Sequence, residues 1–444
     1  MVDKFRNPYA GATAETTPPD VPALVAGAIK DEAGNSVGGG STTPAAVVSA
    51  VGQMSAAERA QAWPRTGGPR VAVIGNSLMA DAYSTGRIWT SWGWVAWARR
   101  YLGRRVSLWS SGVFAVGGAT FDGASGSNNI MTQQLPNVVA GAFDEAWVDP
   151  WRNSLGGLTA DASIAYGKTL IDTLLSRGTR VVMICPRVTS GANAMDASTS
   201  AKAARISRWL SDYAGQVQGL EVFDPNPLYA DYGTGLAASA LLRDGLHDNQ
   251  LSAEMMGRAF AAWRAARLPS FSDVGLSLPG DTYDATNNPS GNLLLNGLMT
   301  GSGGSVVNGA TGQTPTNWSG ARSTGAATHG AAYAVGFDAV NATLPRASLT
   351  LSGTGDAHAA FLFAERNLSA VLTPGDRVYA EMEIDWTITT PGVRGIALAL
   401  TVANSSFAVL ASSWDGYLGG NGTLGANTGS GLFRTDIITV PAGF

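Results

Sequence analysis

The run Arg70-Val71-Ala72-Val73-Ile74-Gly75-Asn76-Ser77-Leu78 decides how the rest of the chain is interpreted. Its four consecutive apolar residues, mostly β-branched, are typical of a short strand that is buried on both faces. The run stops at a Gly-Asn-Ser turn, which places Ser77 at the carboxyl end of the predicted strand. Open parallel sheets carry their chemistry at that end, so Ser77 is a candidate nucleophile.

A serine nucleophile needs a base, and the chain has only three histidines. His247 alone lies in a suggestive setting, Arg243-Asp244-Gly245-Leu246-His247-Asp248. An aspartate three residues before a histidine can orient the imidazole, which then takes the serine proton. The pattern predicts that Ser77, Asp244 and His247 form a catalytic triad.

A second serine motif, Gly34-Asn35-Ser36-Val37-Gly38, matches the Gly-x-Ser-x-Gly elbow of another hydrolase class. It lies in a glycine-rich segment with no predicted strand before it, so we reject Ser36 as the nucleophile. At Ser77 that elbow does not fit, because Met79 stands where the second glycine is required.

The two blocks Gly-Asn-Ser-Leu, ending at Leu78, and Asp-Gly-Leu-His, ending at His247, together resemble the GDSL or SGNH hydrolase family. The family's first block usually reads Gly-Asp-Ser-Leu, and here Asn76 replaces the aspartate. The resemblance covers roughly residues 67–270. It implies a serine esterase similar to carbohydrate esterases, with a flavodoxin-like three-layer α/β/α sandwich.

Ester hydrolysis develops negative charge on the carbonyl oxygen, and losing one donor to that oxygen typically costs about 3 kcal/mol of transition-state stabilisation. The resemblance implies three donors: the backbone N–H of Ser77, a glycine N–H in a second block and an asparagine side chain in a third. The second block resembles Ser111-Gly112-Val113-Phe114-Ala115-Val116-Gly117-Gly118-Ala119-Thr120. We assign its donor to Gly118, with Gly117 as the alternative.

The third block normally reads Gly-x-Asn-Asp, and the equivalent place here holds Trp151-Arg152-Asn153-Ser154. Asn153 is the best donor because it follows a predicted strand by a few residues. Trp151 beside it is a candidate for lining the substrate cleft, with core packing as an equally weighted alternative.

Composition excludes several other function classes. The formal net charge is −4, and charged residues make up 14% of the chain, so we expect neither nucleic acid nor a membrane surface as a partner. No His or Cys spacing resembles a zinc site, and the predicted mechanism needs no cofactor. The single cysteine, Cys185, lies in an apolar run and is expected to be buried.

Three regions are predicted along the chain. Residues 1–66 are rich in Ala, Gly, Pro, Ser and Thr and form an arm or linker with short helices, resembling the arms of phage tail proteins. Residues 67–270 alternate strands with helices, which predicts a parallel sheet covered on both faces. The predicted strands are 71–74, 106–109, 145–148, 180–185 and 220–223, and the predicted helices are 89–102, 130–140, 160–177, 201–214 and 252–267.

Residues 271–444 lose the helical period and gain short β-rich runs, which predicts a β-sandwich or jelly roll. The residues Val378-Tyr379-Ala380-Glu381-Met382-Glu383-Ile384-Asp385-Trp386 alternate between apolar and polar, as in a half-exposed strand. The stretch 291–297 resembles the opening of carbohydrate-binding jelly rolls.

The sequence therefore predicts a serine esterase that removes acetyl or similar acyl groups from a bacterial surface or extracellular polysaccharide. Two alternatives stay open: a glycan-binding module of a phage tail or adhesin without turnover, and a lipase or thioesterase. The N-terminus lacks the apolar stretch of a secretory signal, and no run approaches 18 apolar residues. We expect extracellular action or a place in a virion tail, where the protein would form a homo-oligomer such as a trimer.

Overall fold

A computed structural model describes residues 2–5, 68–84, 87–123, 128–268, 282–288, 291–322, 329–338, 344–353, 359–362, 368–417 and 423–444. Most of the predicted arm and the motif around Ser36 lie outside these residues. The strands, numbered in chain order, are β1 (Val2–Phe5), β2 (Val71–Gly75), β3 (Tyr83–Ser84), β4 (Ile88–Thr90), β5 (Glu145–Asp149), β6 (Arg180–Ile184), β7 (Leu220–Phe223), β8 (Ala230–Asp231), β9 (Leu236–Ala237), β10 (Ser305–Val307), β11 (Thr311–Gly312), β12 (Ser319–Arg322), β13 (His329–Phe337), β14 (Pro345–Gly353), β15 (Ala359–Leu362), β16 (Arg377–Ile388), β17 (Leu398–Ala403), β18 (Val409–Tyr417), β19 (Asn427–Arg434) and β20 (Ile438–Thr439). The α-helices are α1 (Ser77–Ala80), α2 (Trp94–Leu102), α3 (Leu135–Gly141), α4 (Trp151–Gly157), α5 (Ala160–Ser176), α6 (Ala197–Ala214), α7 (Asn226–Tyr229) and α8 (Gln250–Ala265).

A parallel sheet with the order β2-β5-β6-β7 forms the centre of the first half of the chain. Gly75, the last residue of β2, is in register with Asp149, the last residue of β5. The carboxyl ends of these two strands therefore meet at one edge of the sheet.

The predicted strand at 106–109 is reduced to single parallel bridges beside β2. Ser107 bridges to Arg70, a short 3₁₀ turn follows at Ser110–Gly112, and Val113 bridges to Val73. The turn interrupts the pairing, because the N–H of Val113 donates to the carbonyl of Ser110 instead of continuing a ladder. The chain nevertheless runs along the outer side of β2, which gives a flavodoxin-like sheet.

Both faces of the sheet are covered, as the near-continuous apolar strands predicted. Val71 and Val73 point into a core that includes Trp94, Trp97 and Phe260 of α2 and α8. On the opposite face, Ala72 and Ile74 belong to a core formed with residues of α3, α5 and α6. This confirms the predicted three-layer α/β/α arrangement.

The second half of the chain is built from strands, as predicted, in several small sheets. The alternating stretch around residues 378–386 forms the middle of β16, which pairs antiparallel with β1, β19 and β20. A long hairpin joins β13 to β14.

Strand β18 extends this β-rich half into the α/β half. It pairs antiparallel with β17 and parallel with β4, with Trp414 opposite Ile88. The predicted helix at 89–102 consequently begins only at Trp94, because Ile88 to Thr90 form the partner strand of β18. Aromatic and β-branched residues favour strand pairing when a partner is available, and here the partner lies more than 300 residues away in sequence.

A buried ionic contact reinforces this junction. Asp415 of β18 is fully buried and accepts hydrogen bonds from Arg99 Nη1 at 3.0 Å and from Arg100 Nε at 2.9 Å, both of α2. It also accepts the backbone N–H of Arg434 at 2.7 Å. One carboxylate therefore pairs with two buried guanidinium groups and connects α2, β18 and β19.

Two smaller findings concern burial and hydropathy. Cys185 is buried, as predicted, and burial raises the pKa of its thiol to about 12. Among the described residues, no helix combines the length and apolar character needed to cross a bilayer.

We expect the variant Asp415→Asn to lower the free energy of unfolding by about 3–5 kcal/mol, because it leaves two buried guanidinium groups without their counter-ion. Urea unfolding followed by tryptophan fluorescence measures the change. The matched control is Asp161→Asn, which removes an exposed carboxylate paired with Arg205 and should cost less than about 1 kcal/mol. Equal, small losses in both variants would contradict the role assigned to Asp415.

Candidate active site

The turn that follows β2, residues 75–78, packs closely against the end of β5. A Cβ on Gly75 would lie 2.4 Å from the carbonyl oxygen of Asp149, and the φ of Gly75 is +151°. Only glycine fits this approach without displacing the neighbouring strand. The turn thereby delivers Ser77 to the first position of α1, at the carboxyl edge of the sheet.

Asn76, the residue that departs from the usual family block, is fully buried and serves as the N-cap of α1. Its Oδ1 accepts the backbone N–H of Leu78 at 3.0 Å, and its Nδ2 donates to the carbonyl oxygen of Asp149 at 3.2 Å. An aspartate could accept the first hydrogen bond, but an ionised carboxylate would face the carbonyl oxygen at the second. The amide therefore suits this buried position because it satisfies both partners.

Ser77, His247 and Asp244 are brought together in a hydrogen-bonded chain. The Nε2 of His247 lies 2.8 Å from the Oγ of Ser77, and the Nδ1 of His247 lies 2.7 Å from Oδ2 of Asp244. A proton on Nδ1, donated to the carboxylate, leaves Nε2 as the acceptor for the serine hydroxyl. This is the arrangement that general-base activation of a serine requires.

Asp244 is organised to stay ionised. Partial burial acts to raise its pKa, but hydrogen bonds from the backbone N–H and the imidazole of His247 and from the N–H of Leu246 outweigh it and lower the pKa to about 2. The side chain of Asp244 is 46% exposed and that of His247 is 20% exposed. The side chains of Asp244 and His247 thus lie at an open rim of the molecule.

The acid–base loop, residues 243–248, is anchored from below by Asp248. This carboxylate is buried. Arg187 Nη1 contacts both of its oxygens, at 2.8 and 3.0 Å, and the hydroxyl of Tyr229 donates to it at 2.7 Å. Arg187 Nη2 also donates to the carbonyl oxygen of Leu246 at 3.0 Å. The loop is therefore fixed on both sides of His247.

Gly245 allows the loop to pack against the segment that follows β6. Its φ is +81°, and a Cβ there would lie 2.2 Å from the carbonyl oxygen of Ser190. The N–H of Ser190 donates to the carbonyl of Gly245 at 2.8 Å. The glycine between Asp244 and His247 is thus required by the geometry of the loop.

An ion pair connects the loop at residues 243–248 to the helix that begins at Ser77. Arg243 Nη2 donates to Oδ2 of Asp81, which directly follows α1. Burial raises the pKa of Asp81, although the charge of Arg243 opposes that rise. No local sequence pattern signals this pair, because its two residues lie 162 positions apart.

Gln134 is a second contributor that the sequence analysis missed. Its buried amide accepts the N–H of Gly75 and donates to the carbonyl of Gly75, both at 2.9 Å. The carbonyl of Gly75 also accepts the N–H of Val116 at 3.1 Å. These bonds fix the loop at residues 116–119 beside the turn that holds Ser77.

The predicted oxyanion donors lie around this edge. The N–H of Ser77 has no acceptor within the described part of the chain. Gly118 is exposed with φ +76°, a conformation that favours glycine, and Gly117 beside it is also exposed. The Nδ2 of Asn153 donates to the carbonyl of Ala119 at 3.2 Å, so the amide lies next to the glycine pair. Their roles as donors, and the choice between Gly117 and Gly118, stay predictions.

Trp151 requires a correction. Its side chain is 1% exposed, and its Nε1 donates to the carbonyl of Ile184 at 2.8 Å. The indole packs against the ring of Phe121, with ring centroids 5.5 Å apart. Trp151 therefore does not line the cleft, because its side chain is buried in the core between β6 and α4. The buried indole holds α4, the helix that carries Asn153, against the sheet.

Asp149 is a buried acid directly beneath the site. Burial raises its pKa to about 7, against the opposing effects of the Arg187 charge and a hydrogen bond from the backbone of Trp151. Its carbonyl is the oxygen to which Asn76 donates. The strand end that supports the nucleophile turn therefore carries a carboxyl group that titrates near neutrality.

In the described ranges, no group of three or more His, Cys, Asp or Glu side chains is arranged to hold a metal ion.

Both ring nitrogens of His329 are buried without a partner in the described structure. His329 lies at the start of β13 in the β-rich half, where its side chain is buried.

Comparison with solved structures finds distant likenesses, each covering less than half of this chain. An acetylxylan esterase from Geobacillus stearothermophilus, solved as a catalytic mutant, is 14% identical with a TM-score of 0.35, and the match covers 47% of this chain and 98% of that one. A member of the lipolytic protein G-D-S-L family from Veillonella parvula is 16% identical with a TM-score of 0.35, covering 45% and 99%. A carbohydrate esterase of family 3 from Talaromyces cellulolyticus is 16% identical with a TM-score of 0.33, covering 45% and 97%.

These structures include members of the family that the two sequence blocks resemble. No family model and no curated protein matches the sequence.

The raised pKa of Asp149 predicts a pH-dependent contribution to stability. Because the folded protein holds this proton up to about pH 7 while the unfolded chain releases it near pH 4, stability falls as pH rises through that window. We expect Asp149→Asn to reduce the loss of unfolding free energy between about pH 5 and pH 8 by about 2–3 kcal/mol.

Urea unfolding at the two pH values measures this difference. Asp161→Asn is the matched control, since its carboxylate is exposed and should leave the pH dependence unchanged. The same pH dependence in Asp149→Asn and the unsubstituted protein would show that Asp149 does not titrate in this range.

Proposed function

We propose that the protein is a serine esterase that hydrolyses acyl esters through Ser77. One observation carries the proposal: the 2.8 Å contact between Ser77 Oγ and His247 Nε2, continued by the 2.7 Å contact between His247 Nδ1 and Asp244. These groups come from the two ends of the α/β half and meet at the carboxyl edge of the sheet. Hydroxyl, imidazole and ionised carboxylate in this order are what nucleophilic acyl transfer needs.

The reaction proceeds in two halves. In the first, His247 Nε2 takes the proton of Ser77 while Oγ forms a bond to the ester carbonyl carbon. The tetrahedral intermediate collapses, the ester C–O bond breaks, and His247 returns the proton to the leaving alcohol. In the second, His247 activates a water molecule that releases the acid and restores Ser77. Asp244 stays ionised throughout and stabilises the imidazolium.

The oxyanion that forms in each half needs donors already in place. We assign this role to the N–H of Ser77, the N–H of Gly118 and the amide of Asn153. Support comes from the loop at 116–119, which is bonded to the carbonyl of Gly75 and to the amide of Asn153. Gly117 is the alternative to Gly118.

The substrate we infer is an acetylated or similarly acylated polysaccharide outside the cell. The acid and base lie at an exposed rim, where Val116, Gly117 and Gly118 are also exposed. A rim of this kind gives an extended polymer access to Ser77 without requiring the chain end to enter a tunnel. We take the acyl group to be acetyl or similarly short, as the resemblance to carbohydrate esterases implies.

We expect Ser77→Ala to lower kcat for a 4-nitrophenyl acetate substrate by at least about a thousandfold with unchanged folding, because the variant lacks the nucleophile. Ser36→Ala, in the other serine motif, is the matched control and should retain full activity. Release of nitrophenol and a circular dichroism melting curve measure the two properties.

Retained turnover in Ser77→Ala would reject the assignment. The same assay with the octanoate ester tests the lipase or thioesterase alternative, since a long apolar pocket should favour the longer chain by about 0.8 kcal/mol for each buried methylene. Binding of an acetylated polysaccharide without release of acetate would instead favour the glycan-binding module.

A further inference from the structure

The guanidinium of Arg152 is a cation at the rim of the site without an acidic partner. Its Nη2 donates to the carbonyl oxygen of Asn193 at 3.0 Å, and this is its one hydrogen bond to the described residues. None of the ion pairs among those residues includes it. The neighbouring arginines of the site differ, since Arg187 is paired with Asp248 and Arg243 with Asp81.

Arg152 lies next to Asn153 on one side and near the loop that carries Asp244 on the other. It precedes Asn153 in α4 and follows Asp149 by three residues, and Asp149 is in register with Gly75 of the nucleophile turn. On the other side, Asn193, whose carbonyl holds the guanidinium, donates its Nδ2 to the carbonyl of Asp244 at 3.0 Å. Arg152 is thus one bridging residue away from the acid of the triad.

The guanidinium of Arg152 is partly removed from water, and no acidic side chain compensates for the lost hydration. Its side chain is half-buried, and the Nε is buried without a partner in the described part of the chain. Burial alone lowers its pKa, with no acidic charge opposing the effect. The Nη1 group is neither bonded nor among the buried atoms, so it reaches the surface with two donors available.

We propose that Arg152 binds a carboxylate of the substrate, so that the ester cleaved at Ser77 belongs to an acidic glycan built from uronic or sialic acids. This inference rests on the proposed esterase function and names its substrate class. A guanidinium offers a planar set of donors that matches a carboxylate, and a charge-assisted contact at a partly desolvated site is stronger than at an open surface. Asn193 holds the guanidinium in place before the ligand arrives, which reduces the entropy lost on binding.

The test uses acidic saccharides as competitors of 4-nitrophenyl acetate hydrolysis by the full chain. The probes are tetragalacturonate, a sialic acid tetramer and the carboxyl-reduced, neutral form of the first. We expect at least one acidic tetramer to inhibit competitively, at least ten times more tightly than the neutral form, and the inhibition to weaken as salt is raised to about 0.5 M.

Arg152→Gln should raise the inhibition constant of that acidic tetramer at least tenfold, so that it approaches the value for the neutral form. Arg152→Lys keeps the charge but not the planar donors and should give an intermediate value. The matched control is Arg205→Gln, an exposed arginine paired with Asp161, which should leave the constant unchanged. The salt dependence of the unsubstituted protein provides a readout that does not depend on the folding of any variant.

Equal inhibition by acidic and neutral tetramers, no inhibition by either acidic tetramer, or an unchanged constant in Arg152→Gln would each overturn the proposal. Calorimetric titration of the same tetramers gives the comparison without turnover. Absence of aryl acetate hydrolysis in the unsubstituted protein would therefore count against the esterase, whereas an unchanged calorimetric affinity in Arg152→Gln would count against the carboxylate site.

Discussion

The close approach of β2 and β5 at their carboxyl ends is the constraint on which the site depends. The carbonyl of Asp149 comes so near to Gly75 that no side chain fits, and the same oxygen accepts the amide of Asn76. The N-cap of the helix that begins at Ser77 is thereby attached to a neighbouring strand of the central sheet. A side chain held by a buried sheet has far less freedom than one on a free loop, and nucleophilic attack needs that precision.

The electrostatics of the molecule divide into two kinds. Two clusters of buried, paired charges are structural: Asp415 with two arginines of α2, and Asp248 with Arg187. The carboxylate of Asp244 lies at the rim instead, where it stays partly in water and its hydrogen bonds rather than burial set its low pKa. This separation places the groups that meet the substrate at the surface while the anchors beneath them stay fixed.

Sequence patterns revealed the parts of this arrangement that are local. The apolar run at 71–74 predicts a buried strand because four adjacent side chains must all leave water, and each motif of the triad has its own short spacing. The pairing of β4 with β18 has no local signal, so the predicted helix 89–102 includes residues 89 and 90, which belong to β4. Burial of Trp151 was equally undetermined, because an indole beside a site suits a cleft and a core alike until its neighbours are known. The supports provided by Gln134 and Asp81 depend on contacts across 59 and 162 positions, which composition and periodicity do not encode.

The central claim is that Ser77 and His247 act as one unit, and a comparison of single and double variants tests it most directly. The measurement is kcat for an acetyl ester in Ser77→Ala, His247→Ala and the double variant. If the histidine acts only by moving the serine proton, the double variant loses no more activity than the more impaired single variant. Losses that multiply in the double variant would show that the two side chains contribute independently and would contradict the account.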